Sequence, residues 1–127
     1  MPSIIKSFTD LISWQKGHSL VVSIYEVTNS FPKHELYSLG DQMRRCAISI
    51  TSNIAEGFSR KTYKEKTQFY TIALGSLTEL QNQLLVARDV KYISNDLFIA
   101  LARQTVEVSK LVNGLIKGTN KYKVGKA

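Results

Sequence analysis

The chain of 127 residues has few of the residues that cross-link or interrupt a fold. Its one cysteine, Cys46, can close no internal disulfide, and no zinc-type ligand spacing occurs. A secreted disulfide scaffold is set aside, and a reducing cytoplasm is the expected compartment. Only Pro2 and Pro32 are prolines, which leaves the 95 residues after Pro32 without one. No apolar run approaches the ~18 residues of a membrane span. Residues Met1–Asp10 lack the apolar core of a signal peptide. No membrane partner is expected.

Chemistry-bearing clusters are scarce as well. His18 falls on the apolar side of the first helical pattern and reads as a packed residue. His34 lies in a linker between Lys33 and Glu35. The Glu-x-x-His motif of di-iron bundles does not occur. Helical RNases place a histidine one turn after an arginine. Here Arg44 and Arg45 are followed by Ile48, Ser49 and Ile50. Gly57, Gly75, Gly114 and Gly118 stand singly, so there is no phosphate-cradling loop. General acid–base catalysis needs positioned titrating groups. The expectation is a protein that is not an enzyme, with no catalytic residue, metal site or cofactor.

What the chain does have is helical periodicity. Residues are 43% hydrophobic and 21% charged, and the length suits one domain over 1–127. Leu11, Trp14, His18, Val21 and Tyr25 recur at three and four, ending before Pro32. Leu39, Met43, Cys46, Ala47, Ile50 and Ile54 form a second stripe, opened by Ser38 with Asp41 three residues on. Thr62 and Glu65 are a capping box for a third helix, with Phe69, Tyr70, Ala73, Leu77, Leu80, Leu84 and Ala87 on its stripe. Ser94 caps a fourth that carries Phe98, Leu101, Thr105, Val108, Val112 and Leu115 and stops at Gly118. The predicted helices run about 10–30, 38–58, 62–91 and 95–117, followed by a mobile basic tail, 119–127. Four amphipathic helices on short connections define an all-α, antiparallel up-down four-helix bundle.

Some apolar residues fall on the wrong side for a lone bundle. Ile72, Val86 and Val90 lie opposite the Leu77 and Leu80 stripe, together with Gly75 and Glu79. Ile48 lies off the second stripe. These six are the candidate oligomer interface.

Charge is excessive and uneven. Seventeen Lys and Arg stand against ten Asp and Glu, a net +7. Residues 33–66 hold seven cations and four carboxylates, and residues 101–127 hold six and one. Two basic zones suit a polyanion partner. Arg44, Arg45, Arg60, Lys61, Lys64 and Lys66 are the candidate nucleic-acid contacts, with Tyr63 and Phe58 near the Arg60-Lys61 turn able to stack on unpaired bases, although Phe58 reads first as a core plug closing the bundle end. Asp41 with Arg45 and Glu56 with Arg60 are also i,i+4 ion pairs, so a solvated face accounts for part of this pattern.

Gln42-Met43-Arg44-Arg45-Cys46-Ala47-Ile48-Ser49-Ile50, then Ser52-Asn53-Ile54-Ala55-Glu56-Gly57-Phe58, resemble the bacterial proteins encoded by intervening sequences in large-subunit ribosomal RNA genes. Leu74-Gly75-Ser76-Leu77 with Glu79-Leu80, Asp10-Leu11 with Trp14, and Asn113-Gly114-Leu115-Ile116 extend the likeness over about 8–117. The resemblance implies an up-down bundle assembled as a five-subunit ring with no established catalytic activity. It also implies kinship with the accessory variability determinant of diversity-generating retroelements, a basic ring that engages nucleic acid and a reverse transcriptase. Asn53, Glu56 and Gly57 read equally as a polar cluster fixing helix packing and as a functional motif. The expected partners are nucleic acid, RNA favoured, and further copies of the chain. The alternative is a scaffold docking an acidic protein such as a reverse transcriptase.

Overall fold

The computed structural model describes residues 4–125, and within them the side chains of all but residues 36 and 120–125. Among the described residues there are four long helices and no strand. They are α1 (Ile12–Thr28), α2 (Asp41–Ser59), α3 (Tyr63–Asp89) and α4 (Asn95–Gly125). Consecutive helices are joined by short connections and α1 also packs on α4, which closes an antiparallel up-down bundle.

The stripes of α2, α3 and α4 are the core. Met43, Cys46, Ala47, Ile50 and Ile54 are buried from α2, and Tyr70, Ala73, Leu77, Leu80, Leu84 and Ala87 from α3. Leu101, Thr105, Val108 and Val112 complete it from α4. Each large aliphatic among them contributes about 1.5–3 kcal/mol of transfer free energy.

Helix α1 departs from its expected phase. Its buried residues are Ser13, Gly17, Leu20, Ile24 and Thr28, whereas Leu11, Trp14 and Val21 are half-buried and Tyr25 is exposed. Small residues decide this. A Cβ added to Gly17 would sit 3.1 Å from the Thr51 side chain, so α1 lies close against α2 along its Ser13–Gly17 edge. The bulky residues are displaced to the flanks. His18, expected to be packed inside, is exposed and stacks on Trp14 with ring centroids 4.8 Å apart.

Helix ends differ from expectation in two places. Ser38 does not cap α2. A turn at Lys33–Glu35 runs into a π-type turn, Leu36–Gly40, and Glu35 accepts from the Leu39 N–H at 3.4 Å. The chain is thus already helical on entering α2, and no extended cap residue is needed. At the other terminus α4 continues through Gly118 to Gly125. Among the described residues no glycine adopts positive φ, so Gly118 does not form the left-handed cap that would end the helix. The expected tail, 119–127, is helical backbone to residue 125, and residues 126–127 lie outside the described ones. Thr62 and Ser94 do cap α3 and α4, accepting from Glu65 N at 3.2 Å and Leu97 N at 3.1 Å.

Candidate nucleic-acid interface

Antiparallel packing sorts the charges by end of the bundle. The α2–α3 turn sits at one end, and α4 returns to it. Gln81 donates to the Thr105 hydroxyl at 3.0 Å, which sets the α3–α4 register. Twelve residues further along α4, Lys117 is therefore level with Phe69. Among the described residues Lys6, Arg60, Lys61, Lys64, Lys66 and Lys117 stand at this end with Asp10, Glu56 and Glu65. At the opposite end Lys33, Arg44, Arg45, Arg88 and Lys91 are matched by Glu26, Glu35, Asp41, Asp89 and Asp96. Residues 60–66 of the first basic zone and Lys117 of the second thus meet at one basic end, and the other end is balanced among the described residues. Lys117 was not among the candidates from sequence. The up-down order of the helices is the signal that places it there.

The six candidate cations do not form one patch. Arg44 and Arg45 lie in the first turns of α2, about 22 Å along the helix from Arg60 at 1.5 Å per residue. Arg45 pairs with Asp41 at 3.2 Å. Arg44 is half-buried and turned toward α1, where its Nε donates to Thr28 Oγ1 at 2.7 Å and its Nη2 to Asn29 Oδ1 at 2.8 Å. Its guanidinium also lies 4.7 Å from the centre of the Tyr25 ring. The Thr28 hydroxyl in turn donates to the Ile24 carbonyl at 2.7 Å. Arg44 therefore ties the C-terminal turn of α1, the negative end of its dipole, to α2.

Lys66 has a similar duty at the basic end. Its ammonium donates to the carbonyls of Phe58 at 2.7 Å and Gly57 at 3.4 Å, closing the last turn of α2. It stands 5.4 Å from the centre of the Phe58 ring. Burial lowers its pKa below the ordinary lysine value. Arg60 pairs with Glu56 at 3.1 Å and lies 4.7 Å over Phe69. Lys61 and Lys64 are exposed and make no ion pair among the described residues. At this end Lys61, Lys64 and Lys117, with Arg60 beside them, are exposed to a polyanion.

Arg44→Met tests this division. It should cost about 2 kcal/mol, from two hydrogen bonds and one cation–π contact. The salt dependence of polyanion binding should stay as it was. Denaturant midpoints and a salt titration of the same variant check both halves.

The Asn53, Glu56 and Gly57 cluster is engaged internally. Asn53 Nδ2 donates to the Ser49 carbonyl at 2.8 Å and to Ser49 Oγ at 3.1 Å, and Ser49 shares a 2.9 Å hydroxyl contact with Ser76 on α3. Cys46 Sγ reaches the Ser76 carbonyl at 3.0 Å. Gly57 faces Tyr70, and Glu56 holds Arg60. Asn53 and Gly57 thus belong to the α2–α3 seam, and Glu56 positions a cation.

Burial, reinforced by the nearby Glu79 charge, pushes the Cys46 thiol up to about 12. In the native protein its alkylation at pH 8 should be roughly a hundredfold slower than that of an open thiol. Denaturant should abolish the difference, and a timed iodoacetamide assay reads it.

Among the described residues no group of three His, Cys, Asp or Glu is placed to hold a metal ion. None of their helices is long and apolar enough to cross a membrane. The candidate interface residues Ile72, Val86, Val90 and Ile48 are exposed, as are Gly75 and Glu79. Val86 and Val90 edge one hollow between α2 and α3, and Glu79 edges another. Ile48 lines neither.

The fold and this surface define an all-α four-helix bundle with one basic end. The family model described as 23S rRNA-intervening sequence protein matches residues 9–114, and the chain belongs to that family. A crystal structure from Bacteroides thetaiotaomicron, of a protein of unknown function in the S23 ribosomal protein family, superposes with a TM-score of 0.79. It is 21% identical, and the match covers 86% of this chain and 98% of that one. No curated protein matches the chain.

Proposed function

We propose that this protein is a non-catalytic, cytoplasmic, homo-oligomeric nucleic-acid-binding protein that favours RNA. The one-ended distribution of charge carries this reading. Among the described residues six cations against three carboxylates stand at the end of the α2–α3 turn, while the other end carries five of each. Such asymmetry steers a polyanion to one end. Membership in a family described by the 23S rRNA intervening sequence supports RNA as the polyanion. The resemblance implies five subunits in a ring, which would repeat the basic end around an axis.

Single-stranded RNA titrated against the nuclease-treated protein over a salt series tests it. The logarithm of affinity should fall linearly with log salt, by roughly 0.7 for each phosphate neutralised. A flat salt dependence, or no binding at low salt, would remove the reading. Recovery of an acidic protein in the absence of nucleic acid would favour a scaffold instead.

A further inference from the structure

Helix α4 turns Leu101, Thr105, Val108 and Val112 into the core. Ile99, Arg103, Val106 and Lys110 recur at four, three and four and so lie on its outer side. With Phe98, Ala102, Leu111 and Glu107, whose carboxylate pairs with Lys16 at 3.7 Å, they line an open groove of about 650 Å³. On α3 the same spacing recurs away from the core, at Ile72, Gly75, Glu79 and Val86, and Val90 extends the row. The five large apolar residues of the two rows are between 40% and 49% exposed.

The two rows match in repeat and oppose in charge. Alternating steps of three and four are the spacing with which one helix seats on another. Glu79 stands among Ile72, Gly75 and Val86, and it has no hydrogen bond or ion pair among the described residues. Arg103 stands between Ile99 and Val106, equally without an ion pair. A Cβ added to Gly75 would meet nothing within 4 Å, so packing inside the subunit does not require the glycine. A helix approaching from outside would benefit from it.

We propose that the α4 groove of one copy receives the Ile72–Val90 face of α3 from a second copy, with Glu79 paired to Arg103 across the contact. This rests on the reading of the protein as a homo-oligomer and assigns its surfaces. The two patches differ, so the interface is heterologous, and each subunit uses both until a ring closes.

Two variants blocked on opposite faces decide the matter by light scattering on nuclease-treated protein. Ile72→Glu removes the α3 face and Val106→Glu the α4 groove, and circular dichroism should show that both keep their helices. Each alone should fall to the mass of a monomer. Mixed, they should give a species of twice that mass, since each retains one working face. As a second arm, Glu79→Arg and Arg103→Glu should each break the assembly, and the two combined in one chain should restore it. A wild type that is monomeric, a Val106→Glu protein of parental mass, or a mixture that stays monomeric would each overturn the proposal. A mixed dimer formed by a protein that binds no RNA would support it while removing the nucleic-acid reading.

Discussion

Gly57→Ala should destabilise the bundle by about 2 kcal/mol, although alanine is the better helix former. A Cβ at position 57 would lie 2.7 Å from Cδ1 and 3.1 Å from Cζ of Tyr70, and nearer still to Cε1. The ring cannot swing aside, because Tyr70 is 1% exposed and enclosed by the core. Overpacking of this kind costs about 1–3 kcal/mol and at times more. Replacing glycine inside a helix returns up to about 1 kcal/mol. The clash involves the rigid ring of a buried side chain, so it wins. For a chain of this length the melting temperature should fall by roughly 8 °C. Tyr70→Leu removes the ring and leaves a cavity of its own, yet the double variant should lose less than the two single losses added together. Strict additivity in denaturant melts would show that Gly57 and Tyr70 do not meet. Gly57 is then a position where α2 and α3 come close, which is the physical content of the Asn53-Ile54-Ala55-Glu56-Gly57 run.

The core of α2, α3 and α4 was legible because large apolar residues recur there without competition. Leu77, Leu80 and Leu84 could face only one way. Helix α1 is less legible, because its most apolar stripe, through Trp14 and Tyr25, is not the one that faces inward. Ser13 and Gly17 carry little hydrophobic signal, yet they let two backbones approach. The end of α4 is hidden for a related reason. Glycine permits a left-handed cap but does not impose one, and nothing in the sequence says that the helix continues past Gly118.

The candidate site was legible as composition and not as geometry. Six cations can be named from the sequence, but a list of cations does not tell a phosphate contact from a helix clamp. Arg44 and Lys66 are distinguished by what stands one helix away: the Thr28 hydroxyl and Asn29 amide for the first, and the free carbonyls at the end of α2 for the second. Those partners are 8–16 positions distant in sequence. The gathering of charge at one end was equally hidden, since Lys117 joins Lys61 only through the antiparallel return of α4. Charge balance at the opposite end likewise depends on which helix ends coincide.

Reversing Arg60 and Lys61 to Glu should weaken RNA binding far more than two charges in a monomer would, and should flatten the salt dependence. Lys61 is exposed in the α2–α3 turn, and Arg60 lies beside it over Phe69. Each reversal removes a cation and adds a carboxylate near Glu56 and Glu65, so the local field changes sign around Lys64. Losing two phosphate contacts lowers the slope of log affinity against log salt by roughly 1.4 for every subunit engaged. In a ring the patch is repeated, and a strand held by one subunit meets the next at high effective concentration. The loss therefore compounds with the number of subunits the strand spans. Stability should change little, because the Arg60 pair with Glu56 is exposed and such pairs contribute a few tenths of a kcal/mol. Native mass should be unchanged, since neither residue lies on the α3 face or the α4 groove. Parental slope with parental mass would sink the phosphate role of this turn and transfer the basic end to an acidic protein partner.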